Sequence, residues 1–375
     1  MAGSGSNQSY KRVNPKMVEL AREARELTQT KLASLLNVSQ GMVSKIEQGL
    51  NSVDDDILRK LSRVLRYPES FFLQDHRIYV PGIGFDRNRK SLGVKKRNSI
   101  DAKINIQRMH VQNLLSAVEL VSENIPRIDY LDGNLSPEEP EIVANAVRQY
   151  YKLPRGPIEN LTKVLEDSGI FVIETDFDTD KQFGMTVQAP EVPAIIFLNK
   201  NLSPDRMRFT LAHELGHIIM HEMPSPESES QADRFASELL LPSDEIKKDL
   251  LNHGINRMYL QNLKDLKYKW GVSFQTLVKK ALDLGIISAK QRQYFYVQMS
   301  RNGYSRNNEP DCGLEKEKPT LFNNLLKLYK SELDYSDIDL AKVMSLNKEE
   351  YQSLYSNEEL RPRLRLIANS GRHAV

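Results

Sequence analysis

Residues 213–217 read His-Glu-Leu-Gly-His: two imidazoles stand four residues apart, with a carboxylate beside the first. On an α-helix that spacing puts His213 and His217 on one face, where both rings can reach a single metal ion. Glu214 is then placed to take a proton from a water at that ion, the chemistry of a zinc peptidase. The apolar residues Leu211, Ala212, Leu215, Ile218, Ile219 and Met220 predict that this helix is buried. The competing reading of the bare pattern is two core histidines satisfied by hydrogen bonds.

A catalytic zinc keeps three protein ligands and leaves one position open. His221 is a poor third ligand if the helix continues, because it lies ~12 Å along the axis from His213. No glycine follows His217 to break the helix. Glu229 and Asp233 stand four apart in a second helical stretch, whose Ala232, Phe235, Ala236, Leu239 and Leu240 form the packing side. Glu229 as ligand and Asp233 as the group that orients a ligand histidine make a coherent pair. Glu222, Glu227 and Glu238 are the alternatives to Glu229. His253 and Tyr259 are candidate oxyanion donors by position alone. Cys312, the single cysteine, sits in a Gly/Asn/Pro-rich stretch and reads as a loop residue rather than a ligand.

These side chains need a scaffold. Ser203-Pro204 is a helix start, with proline at the first helical position. Residues 170–174, 183–188 and 194–198 are β-rich runs. Strands followed by a metal-binding helix suggest that an edge strand beside the metal receives an extended substrate, and 194–199 is the candidate. A purely structural strand is an equal alternative. Helices are expected over 101–123, 138–152 and 158–167.

The amino-terminal quarter has a different character. Residues 11–103 hold 19 lysines and arginines against 11 acids, a surplus of eight, so the rest is acidic beneath the net charge of +2. That asymmetry points to an anionic partner, most simply nucleic acid. Pro15 opens a helix; Thr28 caps a second over 29–36, Asn37-Val38 turns, and Ser39 caps a third that stops at Gly49. Asp54-Asp55-Asp56 starts a fourth, and Pro68 to Phe72 begins a short fifth. On the third helix Gln40, Gly41, Ser44 and Lys45 take the outer face. Gln40 can pair with adenine and Lys45 can donate to guanine. Gln29 and Ser39 sit at helix starts, where phosphates are held. Residues 74–103 read as a basic linker, either tracking phosphates or serving as a solvated tether.

No apolar run reaches a membrane span, and no secretory signal is evident. With one cysteine there is no disulfide framework, and a cytoplasmic location is expected. Residues 1–6, Met-Ala-Gly-Ser-Gly-Ser, resemble a cloning remnant rather than a folded element.

The run from Leu27 to Gly49 (Leu-Thr-Gln-Thr-Lys-Leu-Ala-Ser-Leu-Leu-Asn-Val-Ser-Gln-Gly-Met-Val-Ser-Lys-Ile-Glu-Gln-Gly) resembles the XRE-like repressor-type helix-turn-helix family. Gly156-Pro-Ile, Gly169-Ile-Phe-Val, the run Arg208 to His217, the run Glu229 to Ala236, Leu239 to Pro242, and Arg301-Asn-Gly-Tyr304 with Glu309-Pro310 resemble the ImmA/IrrE family of metallopeptidases. Gln231 and Asp233 depart from it, since many members carry Glu and Asn there. The resemblance implies zinc dependence and cleavage of repressors of the helix-turn-helix type, switching on genes in stress or in mobile elements. Members fused to their own helix-turn-helix are common, and some pair with a neighbouring toxin gene.

The expected fold is α+β and predominantly helical. A five-helix helix-turn-helix domain (11–73), a basic linker (74–103) and a helical connector (104–154) precede a zincin-like metallopeptidase domain with a small β-sheet (155–300) and a helical C-terminal domain (311–375). In that last domain Ser336 to Leu354 echoes a helix-turn-helix outline without a basic reading face, and a packing or partner-binding role is expected. The expected function is a transcriptional regulator fused to a Zn2+ endopeptidase. It would bind operator duplex as a homodimer and cleave a repressor-type protein, either a partner or its own chain between residues 74 and 103. The alternative is a non-proteolytic repressor or antitoxin whose peptidase fold is a sensor or dimer scaffold.

Overall fold

The computed structural model describes residues 12–79, 92–118, 124–128, 136–223, 225–304, 309–310 and 312–355. Among these are sixteen α-helices and one three-stranded sheet.

The amino-terminal helices α1 (Pro15–Ala24), α2 (Gln29–Leu36), α3 (Gln40–Glu47) and α4 (Asp55–Leu65) begin where the sequence supplies caps. Asn14, Thr28, Ser39 and Asp54 each accept a hydrogen bond from a backbone N–H in the first turn, a contribution of about 1 kcal/mol apiece. Asn37 takes a left-handed conformation (φ 58°) at the turn between α2 and α3, which asparagine tolerates better than most residues. Met17, Val18, Leu32, Ala33, Val43, Ile46, Leu58 and Leu61 are buried in the core of this unit. The expected fifth helix is a 3-10 segment, Glu69–Leu73.

The next helix departs from expectation. α5 runs from Val94 to Leu115, so residues 94–103 of the expected basic linker are its first turns. Lys96 pairs with Glu26 of the helix-turn-helix unit, and Lys103 with Asp178 in the loop after the first strand. Two of the charges read as phosphate-tracking are therefore spent inside the protein. Arg87, Arg89 and Lys90 of that linker lie outside the described residues. From Ile104 to Val111 every α5 side chain is buried, including Asn105, Gln107, Arg108 and His110. A helix buried all round shows no apolar stripe from which a boundary could be read.

Helices α6 (Pro140–Tyr150) and α7 (Leu161–Asp167) lead into β1 (Phe171–Thr175), β2 (Gly184–Ala189) and β3 (Val192–Asn199). The strand order is β1-β3-β2, with β1 parallel and β2 antiparallel to β3. Residues 194–199, the candidate substrate-facing edge, thus belong to the central strand, and every β3 residue is buried. Both sides of β3 already carry ladder bonds, so it cannot accept another chain. The edge strand packed against the metal-motif helix is β2. β1 is the other edge. Alternation along β3 sends Ile195 and Phe197 to a core shared with the helix-turn-helix unit, α5 and the C-terminal helices. Ala194, Ile196 and Leu198 face the core of the metal-motif helices.

Helices α8 (Pro204–Met220), α9 (Ser228–Leu240), α10 (Ser243–Asn252), α11 (Asn262–Trp270), α12 (Phe274–Asp283) and α13 (Ala289–Arg301) complete that second core. Then come α14 (Leu321–Glu332), α15 (Asp337–Val343) and α16 (Lys348–Tyr355).

Candidate metal centre and nucleic-acid face

α8 starts at Pro204 after Ser203 and stops at Met220; His221 already has an extended backbone. It packs closely on α9 because position 216 is glycine. A Cβ on Gly216 would come within 2.9 Å of Phe235 Cδ1. That approach carries the first turns of α9 up to the histidines. Arg208, on the same helix, pairs with Glu317, whose carboxylate also accepts from the N–H groups of Leu161 and Thr162 at the start of α7.

His213, His217 and Glu229 converge, with one donor atom from each inside a 4.8 Å circle. His213 Nε2 and His217 Nε2 are 3.0 Å apart. Glu229 Oε1 is 3.4 Å from His217 Nε2, and its Oε2 is 3.9 Å from His213 Nε2. Tetrahedral zinc with ligands at 2.0–2.2 Å sets its donors about 3.3–3.6 Å apart; the His217–Glu229 separation matches this, and the other two lie within about 0.3 Å of that range on either side. Asp233 Oδ1 lies 3.0 Å from His213 Nδ1, on the side of the ring away from that cluster. Burial disfavours charge on His213, but its hydrogen bond to Asp233 and the charges of Glu214, Asp233 and Glu229 outweigh this and push it up to about 9. Burial, with His213 and His221 adding to it, pushes His217 down to about 2.

Three further contacts go beyond the roles assigned from the sequence. Thr186 Oγ1 on β2 donates to Glu214 Oε2 at 2.7 Å. Gly184 lies beside it; a Cβ there would sit 2.5 Å from Thr210 Cγ2 and 3.2 Å from Glu214 Oε1. His221, released by the end of α8, places Nδ1 3.0 Å from His217 Nδ1 and Nε2 2.9 Å from Gln231 Oε1. It stands behind His217 rather than among the converging donors. Its distance along a continuing helix is therefore not the reason, since α8 ends before it. If His217 turns Nε2 towards a metal, its Nδ1–H donates to His221, whose Nε2–H donates to Gln231. The glutamine thus has an acceptor role of its own here.

Of the other candidate ligands, Glu238 is buried against Lys280 and Ser243, and Glu222 and Glu227 are exposed. His253 turns Nδ1 onto the Asp249 carbonyl, and Tyr259 is exposed. Neither joins the converging group. Cys312 bonds its own loop at the Pro310 carbonyl.

On the amino-terminal unit, Gln40, Gly41 and Lys45 are exposed along α3, with Ser44 partly so. Gln40 Nε2 donates to Gln29 Oε1, and Gln29 Nε2 donates to Glu47, which holds the buried Arg22. An amide nitrogen has two hydrogens, so Gln40 keeps one donor and its oxygen for a base while Gln29 fixes its direction. Ser39 spends its hydroxyl on the Met42 N–H as the cap of α3. A Cβ on Gly41 would meet nothing within 4 Å; no internal contact explains a glycine that costs a helix about 1 kcal/mol.

Comparison with known families places two domains on this scaffold. Residues 18–72 match the helix-turn-helix family, and residues 165–282 match the IrrE N-terminal-like domain family of peptidases. The chain therefore joins an XRE-type helix-turn-helix domain to an IrrE N-terminal-like domain. The first match points to DNA-binding regulation and the second to a metallopeptidase-like domain. Neither a curated protein nor a solved structure matches the chain. No helix among the described residues is long and apolar enough to cross a membrane.

Proposed function

We propose that this chain is a DNA-binding regulator whose second domain is a zinc endopeptidase acting on a repressor-type protein. The observation that carries the reading is the convergence of donor atoms from His213, His217 and Glu229 within 4.8 Å of one another, beside a Glu214 held by Thr186. Zinc bound there would polarise the scissile carbonyl and acidify a water. Glu214 takes the proton of the attacking water and returns it to the leaving amine. Asp233 fixes the ring of His213, and His221 fixes that of His217. The edge strand β2 carries no second ladder among the described residues, and its outer side would receive an extended substrate beside Glu214. On the other domain, Gln40, Gly41, Ser44 and Lys45 face the major groove, with Gln29 and Ser39 at the helix starts near the phosphates; a homodimer would read two half-sites.

Within the chain's own linker, residues 94–103 are locked in α5 and offer no extended segment to the site. The test is elemental analysis of the purified chain together with cleavage of a repressor-type helix-turn-helix protein. About one zinc per chain with cleavage that Glu214→Gln abolishes supports the reading. Zinc without cleavage of any repressor-type substrate would leave the peptidase fold as a sensor or scaffold.

A further inference from the structure

Helices α14, α15 and α16 follow α1, α2 and α3 at a constant offset of 308 positions, with α14 starting two residues earlier and α15 ending one residue earlier than the offset gives. The second helix of each set is capped by Thr28 and by Ser336. Just before it, Glu26 (φ 55°) and Asp334 (φ 56°) are both left-handed, as are Asn37 (φ 58°) and Ser345 (φ 52°) at the turn that follows. The turn bonds coincide: Val38 N to Ala33 O at 3.0 Å, and Leu346 N to Ala341 O at 2.8 Å. Six core positions coincide as well: Met17, Val18, Ala21, Leu32, Ala33 and Val43 are buried, and so are Leu325, Leu326, Tyr329, Leu340, Ala341 and Tyr351, whereas the buried Leu20, Ala24 and Ile46 correspond to the exposed Leu328, Glu332 and Leu354. Two left-handed non-glycine residues at matching places in a repeated cap-and-core pattern define a second helix-turn-helix.

The two copies differ where nucleic acid would lie. Gln29 and Lys31, in the first turn of α2, become Asp337 and Asp339, and Gly41 becomes Glu349. Carboxylates at a helix start that should face phosphates repel them. What the second copy has instead is a contact with the first. Glu350 Oε1 on α16 lies 3.0 Å from Arg25 Nη1, both about three-quarters buried. Asn347 Nδ2 donates to the Arg66 carbonyl at the end of α4. Both copies also rest on α5. The first is joined to it by Asn98 to Glu23 and Lys96 to Glu26, the second by Tyr329 to the Leu114 carbonyl, Asn113 to the Val343 carbonyl and Tyr355 to His110.

We propose that residues 321–355 are a helix-turn-helix that has exchanged base reading for protein binding, and that its partner is the first helix-turn-helix of the same chain. The pair rides on α5 as one unit, so α3 points in a fixed direction from the peptidase body. This stands on the two motifs and their contacts and does not depend on peptidase activity.

The test measures the distance between spin labels placed on exposed Ser34→Cys and Lys163→Cys in the full chain with Cys312→Ser. The expected result is one narrow distribution, broadened at least twofold by Glu350→Arg, which sets two guanidinium groups against each other, and narrowed again by Arg25→Glu with Glu350→Arg. A broad distribution in the parent chain, or a width unmoved by Glu350→Arg in a chain with an unchanged circular-dichroism spectrum, overturns the pairing. Lys348→Ala and Gln352→Ala, on the outer face of α16, should leave affinity for sheared duplex DNA within twofold. A tenfold loss would mean that the second motif reads DNA and would overturn the exchange.

Discussion

The hydroxyl of Thr186, on the edge strand, donates to the carboxylate of Glu214, on the metal-motif helix, at 2.7 Å. The bond fixes one oxygen of Glu214, so the other can be aimed without a search over rotamers. A hydrogen bond to a charged group contributes ~1.5–3 kcal/mol. Thr186→Val should therefore lower kcat about 10- to 100-fold, with zinc content and KM held, and Thr186→Ser should recover most of the loss. Equal falls in Thr186→Val and Thr186→Ser would point to packing instead of the hydroxyl.

Glu214→Gln should retain zinc and the fold while peptide cleavage disappears, because Glu214 stands beside the converging donors and not among them. Glu229→Ala should lose zinc, whereas His221→Ala should keep it with weakened affinity, since His221 only orients His217. Dialysis against graded chelator followed by elemental analysis separates the three. Unchanged metal in Glu229→Ala would remove that residue from the site.

On the reading helix, Lys45→Ala and Gln40→Ala should each cost ~1–3 kcal/mol of operator binding and relax the choice of base at one position. Gln29→Ala should act more weakly and in the same direction as Gln40→Ala, because it frees the Gln40 amide it now holds. Binding-site selection with each variant provides the measurement; an unchanged base preference in the first two would displace α3 from the groove.

Burial holds His110 at about 3, with the nearby His76 adding to the effect. The folded value lies below the unfolded one, about 6.5, so between them the unfolded chain binds more protons. Stability from the neutral ring is complete above pH 6.5 and is lost as the pH falls towards 3, at ~1.4 kcal/mol per unit. Denaturant titrations at pH 7 and pH 5 should differ by about 2 kcal/mol less in His110→Gln than in the parent chain. An identical pH dependence in both would show that His110 does not report this burial.

Much of this was legible from spacing. His213, His217, Glu229 and Asp233 are each separated by four within their helices, and a helix converts that number directly into a shared face. The caps Thr28, Ser39 and Asp54 announced their helices for the same local reason. Thr186 and Gly184 carried no such mark, because they reach the site through strand pairing; His221 stands four residues after His217, but no period encodes the helix end that turns it behind that ring. Strand order was hidden likewise: residues 194–199 look equally apolar as an edge or as a centre. The charges of Lys96 and Lys103 misled because their partners, Glu26 and Asp178, are distant in sequence. The echo at Ser336 to Leu354 was audible, but only backbone angles and turn bonds turned it into a repeat.

Neighbouring residues of β3 belong to different interiors: Ile195 and Phe197 to one, Ile196 and Leu198 to the other. The strand is a party wall between the half that carries the helix-turn-helix and the half that carries the histidines. A peptidase domain excised at residue 155 would leave Phe171, Ile173, Ile195 and Phe197 facing water as a continuous apolar sheet surface, prone to association. For the same reason the two halves should melt together, in a single calorimetric transition. Domain shuffling, which moves modules as independent units, would have no seam to cut here.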